Sequence, residues 1–148
     1  MKPDIEAVIG QVSQAMAQSF APQAANPYLG SQIFMSSMIL GMAVEEADRA
    51  AHRRAEENRA IRGLFQRSAG LGLDGELAAR VAELAAGEDS DLRVSALEAG
   101  NSVLRAALID LHAAVEARAD PAARALNAAI WAELALSTER RRFAGASF

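Results

Sequence analysis

The sequence predicts an all-α fold, a bundle of four to five helices dominated by one very long helix. Three observations carry that expectation. Alanine supplies 35 of the 148 residues, whereas Val, Ile and Thr together supply only 15; abundant alanine with few β-branched residues favours helix over sheet. Apolar side chains recur at steps of three and four, the spacing that lines one face of a helix. Between residues 31 and 68 there is no proline, and Gly41 and Gly63 are the only interior glycines. The length suits a single helical domain over 1–148, enough chain to bury roughly 70% of its unfolded surface.

The first helix covers residues 4–20, where Ile5, Val8, Ile9, Val12, Met16 and Phe20 fall at helical spacing. Pro22 and the polar stretch to Asn26 break it. Asn26-Pro27 reads as a restart: a capping side chain, then a proline whose missing N–H has no helical partner to lose. The long helix, about residues 31–68, would extend about 57 Å at about 1.5 Å per residue. The segment is uncharged from Tyr28 to Val44 and densely charged from Glu45 to Arg67, and Ala69-Gly70 with Gly72 closes it. A short helix runs from Asp74 to about Ala86, with Leu77, Val81 and Leu84 on one face and Gly87 at its end. Glu88-Asp89-Ser90-Asp91 opens a fourth helix that reaches about Ala119, its acids where the helix dipole favours negative charge. Asp120-Pro121 starts the last helix, which runs to about Phe143 and ends in Arg140-Arg141-Arg142. That basic end, with Phe143 and Phe148, reads as a dipole complement or a small docking tail.

Set in heptads, the long helix places Val44, Ala51, Asn58 and Phe65 on one seam position and Leu40, Ala47 and Ile61 on the other. The fourth helix places Val94, Asn101, Leu108 and Val115 against Leu97, Leu104 and Leu111. Asn58 and Asn101 therefore interrupt otherwise apolar seams, where a lone asparagine fixes register and partner number at a cost in stability. With the two helices parallel, the asparagines sit level and can pair; the alternative is that each binds a local water or backbone group. As a register device, Asn58 replaced by leucine would raise stability and loosen the oligomeric state.

The remaining chemistry is sparse. With no cysteine there is no disulfide, thiolate metal site or cysteine nucleophile. A net charge of −4 argues against a nucleic-acid partner. Asp48/His52 and His112/Glu116 each lie four apart, on one helical face, a ligand set that suits zinc or iron. The carboxylate-bridged metal bundles use Glu-x-x-His steps, and here Arg49 and Ile109 stand three before the histidines. We therefore expect no metal and no cofactor, and both histidines on solvated surface. No glycine-rich phosphate loop or Gly-x-Ser-x-Gly element is present. The arginines between 49 and 67 alternate with Glu45, Glu46, Asp48, Glu56 and Glu57, which reads as a self-paired, solvated face.

Arg105 and His112 lie seven apart along one face. Their spacing is similar to the Arg-x(4–6)-His step of the HEPN family, small helical bundles that often dimerise and in some members cleave RNA without metal. The resemblance implies Arg105 as phosphate binder and His112 as acid–base group; Ala106 stands where the family often has a polar residue.

The segment from Tyr28 to Val44 is apolar on nearly every face, and such a helix is buried by something. A membrane span is the weaker expectation: the stretch is short, diluted by Ser and Gln, and followed by Glu45-Glu46 rather than a basic flank. Burial in the chain's own core and burial against a second copy are the others. The preferred reading is a non-catalytic, cytoplasmic interaction module that forms a homodimer through Ile33, Phe34, Met35, Met38, Ile39 and Met42, with a further protein partner possible. The rival readings are the RNase, the carboxylate/histidine metal bundle and the membrane-associated protein.

Overall fold

The computed structural model describes residues 4–143, and among them there is no strand. Five α-helices follow one another: α1 (Ile5–Ala15), α2 (Pro27–Arg67), α3 (Gly75–Ala86), α4 (Val94–Glu116) and α5 (Pro121–Arg140). Contacts gather the described residues into two compact units, 4–50 with Phe143 and 51–142, and α2 runs from one into the other.

In the first unit, α1 stops earlier than its apolar spacing predicts. Pro22 lacks an N–H and crowds the preceding turn; the chain loosens ahead of it into a π-helical turn at Met16–Phe20 and a 3-10 turn at Ala21–Gln23. Asn26 then accepts a hydrogen bond from the Leu29 amide at 2.9 Å, so the long helix begins at Pro27, four residues before the expected start. The first half of α2 runs back along α1. Ser13 donates to the Ser37 carbonyl at 2.7 Å, and a Cβ on Gly30 would lie 2.9 Å from the Ala21 carbonyl oxygen, an approach only glycine allows.

The second unit is an up-down-up-down bundle of the second half of α2, α3, α4 and α5. Gln66 donates to the Ala85 carbonyl and Arg62 binds Asp89, which sets α3 antiparallel to α2. Arg54–Glu98 and Asn58–Asn101 step in the same direction, which makes α4 parallel to α2. Arg53 donates to the Arg140 carbonyl while Glu57, one turn on, accepts from Ser137, so α5 is antiparallel. Gly70 and Gly72, both at positive φ, turn the chain between α2 and α3. Ile61, Phe65, Leu104, Leu108, Leu111, Val115, Leu126 and Ile130 fill the core, with Ala107 and Ala123 buried where helices approach closely.

Two ends of elements differ from expectation. Residues 88–93 are not helical and α4 begins only at Val94, because the acids have other partners. Asp89 turns inward to Arg62 and Asn58, while Asp91 accepts from the Arg93 amide and pairs with its guanidinium. The last helix ends at Arg140, with Arg141 as its cap. Phe148, the far end of the suggested tail, lies outside the described residues.

Candidate functional site

The apolar half of α2 presents the most unusual surface of the chain. At about 100° per residue, the side facing α1 carries Ile33, Ser37, Leu40 and Val44, all buried or half-buried. Of the six residues assigned to an interface, Ile33 lies on that inner side, while Phe34, Met35, Met38, Ile39 and Met42 are exposed. Met35 is 58% exposed and Ile39 63%; Tyr28, on the same outer face, reaches 74%. Ile5, Val8 and Val12 of α1 are exposed too. Among the described residues of this unit, only Ser37 and Ala50 are buried, so no large apolar side chain has found a core. Scattered exposed leucines need no explanation, but a contiguous apolar face does.

The second unit shows the opposite arrangement, with polar groups inside. Asn101 donates to Asn58 at 2.9 Å, and Asn58 donates to the Leu97 carbonyl at 3.3 Å and to Asp89 at 3.1 Å. Both asparagines are buried. The Arg62 hydrogen bond, against burial and with help from Asn58, holds the Asp89 carboxyl below its ordinary value. Next to Asn58 in the chain, Glu57 accepts from Arg105 at 2.6 Å, from Arg141 at 2.9 Å and from Ser137 at 3.1 Å. Burial raises the Glu57 carboxyl, but the bonds and charges of Arg141 and Arg105, with Ser137, together take it below its ordinary value. Beside it Glu133 accepts two bonds from Arg140, yet burial, reinforced by the charges of Glu57 and Glu56, pushes that carboxyl up. The charged half of α2 is thus only in part a solvated face: Arg53 and Glu57 are buried.

Arg105 and His112 have separate partners. Arg105 binds Glu57, whereas His112 Nε2 lies 2.9 Å from Asn127 Oδ1 and 3.4 Å from Glu116, with Trp131 packed edge-on against its ring. His112 is therefore largely covered rather than solvated, because α5 lies over it; His52 is exposed, 3.6 Å from Glu56. No group of three or more potential metal ligands occurs among the described residues, and Asp48, His52, His112 and Glu116 do not form one. Among the described residues no helix is long and apolar enough to cross a membrane. No family model matches the chain, and neither a curated protein nor a solved structure does.

Proposed function

We propose that the protein is a non-catalytic helical interaction module that self-associates through the apolar, Met-rich half of α2. The observation that carries this reading is the exposed face of Phe34, Met35, Met38, Ile39 and Met42 on a unit that buries no large side chain of its own. Residues 7–44 contain no charged side chain, so nothing on this surface repels a second copy and nothing matches a charged partner. Methionine, flexible and polarizable, suits an adaptable contact. In this reading the second unit is the stable platform that carries the assembly element, and the module acts in the cytoplasm.

Native mass spectrometry tests the reading. An even multiple of 15.6 kDa is expected for the natural chain. Met38→Asp, which would bring an uncompensated charge into the contact, is expected to return the mass to 15.6 kDa with the helices of the second unit retained. A natural chain that stays at 15.6 kDa at tens of micromolar (about the concentration at which a dimer of micromolar Kd is largely formed) overturns it.

A further inference from the structure

We infer that two copies of α2 pair antiparallel about a two-fold axis between Met35 and Met38; this rests on the self-association proposed above and specifies its geometry. The outer seam of the helix carries Tyr28, Met35 and Met42 at one heptad position and Ser31, Met38 and Glu45 at the other. In an antiparallel pair the two positions face each other, since each knob enters a hole on the partner helix. The register that overlaps the apolar stretch fully sets Met35 against Met38 of the partner subunit and Ser31 against Met42 of the partner subunit. Phe34 then flanks Gly41 of the partner subunit, and Gln32 faces Ile39 of the partner subunit. Large side chains meet small ones at both ends of the stripe, and the surface is self-complementary, as a two-fold contact requires.

Charge selects this arrangement. In a parallel pair Glu45 of each copy would lie in the seam beside its own counterpart, and its ion-pair partner Arg49, one turn on, beside its own, like-charge contacts that cost stability. The antiparallel register leaves the charged half of α2 outside the overlap. Only Glu45 stands at its margin, facing Tyr28 of the partner subunit. The Tyr28 oxygen already accepts from Gln32 at 3.1 Å, which leaves its O–H to donate to a carboxylate. A shift of one heptad in one direction would drive Glu45 into the centre against Met35; in the other it would carry the overlap past Pro27, where α2 starts.

The chain has no cysteine, so engineered thiols report the geometry without background. Met35→Cys and Met38→Cys are introduced in separate chains, one carrying a mass tag, mixed and oxidised; Ser31→Cys with Met42→Cys forms a second pair. Circular dichroism and native mass verify that each variant keeps its helix and its assembly. The mixed pairs are expected to cross-link at least about tenfold faster than either variant alone, because disulfides form only between closely placed Cβ atoms. A dimer whose single variants cross-link with themselves, or whose mixed pairs do not link, overturns the antiparallel register while self-association stands. A natural chain of 15.6 kDa overturns both.

Discussion

Asn58→Leu is the substitution for which the structure and the sequence give opposite signs. Read as a register device in the seam of α2 and α4, the asparagine should yield a more stable protein and a looser oligomeric state when replaced. The hydrogen bonds say otherwise. Asn58 donates to Asp89 and to the Leu97 carbonyl and accepts from Asn101, all within the bundle. Leucine abolishes a bond to a carboxylate, worth about 1.5–3 kcal/mol, and a neutral one worth about 1 kcal/mol, and strands the Asn101 amide at about 1–3 kcal/mol. Burying the leucine side chain returns about 2 kcal/mol. The net expectation is a loss of about 1.5–5 kcal/mol. Adding Asn101→Leu removes the stranded amide, so the double variant should be less destabilised than the sum of the singles by about 1–3 kcal/mol. Urea unfolding of the four proteins, with m-values compared to keep the transitions commensurate, measures the cycle. An Asn58→Leu chain at least as stable as the natural one, or singles that simply add, would refute the reasoning.

Buried Glu57 and half-buried Glu133 should respond oppositely to neutralisation. Glu57→Gln is expected to lower stability at pH 7 by about 1–2 kcal/mol, since its arginine partners are partly exposed. Its depressed carboxyl contributes stability that is present above 4.5 and lost as the pH falls through its folded value, so the variant should show a shallower acid limb below pH 4.5. Glu133→Gln should hold or raise the urea midpoint at pH 7, because the fold disfavours that charge; a fall as large as that of Glu57→Gln would contradict the assignment. Phe65→Ala should cost about 3–5 kcal/mol in urea unfolding, as expected for a buried aromatic. His112→Ala should shift the emission of Trp131, the sole tryptophan, and leave the native mass unchanged. Loss of assembly in a variant that remains folded would show His112 to be part of the contact.

Local signals were legible and distant ones were not. Asn26, Asp74 and Asp120 are capping residues in the structure because a cap needs only its own next three residues. Of the heptad seams, Leu97, Leu104, Leu108, Leu111 and Val115 on α4 and Ile61 and Phe65 on α2 are buried, whereas Val94 and Ala47 are exposed. The acids at 88–91 misled because the partner that draws Asp89 inward is Arg62, 27 residues earlier. Glu57 looked solvated because Ser137 and Arg141, 80 and 84 residues on, come from the returning end of α5. His112 looked exposed for the same reason, since α5 supplies Asn127 and Trp131.

The apolar segment was legible as a demand for cover, but periodicity does not say what meets it. Within one chain α1 covers the side of Ile33, Ser37 and Leu40, through contacts as small as a serine hydroxyl on a carbonyl. Two helices that meet through serine and glycine gain little from burying apolar area, the dominant favourable contribution to folding. The second unit has a core of fourteen buried apolar residues and a network of charges around it. The same helix thus serves two opposite designs. From Ala51 on, Arg53 and Glu57 are brought under cover by α4 and α5; before Ala50, its largest apolar residues are left outside. Order in the first unit should therefore depend on concentration, as that of an obligate interface does. Hydrogen exchange at residues 28–44 should slow as the protein is concentrated, while exchange at 97–115 stays constant. Protection of both segments that is unchanged over a hundredfold dilution, about the span needed to pass from dimer to monomer, would mean that the first unit holds its own fold and needs no second copy.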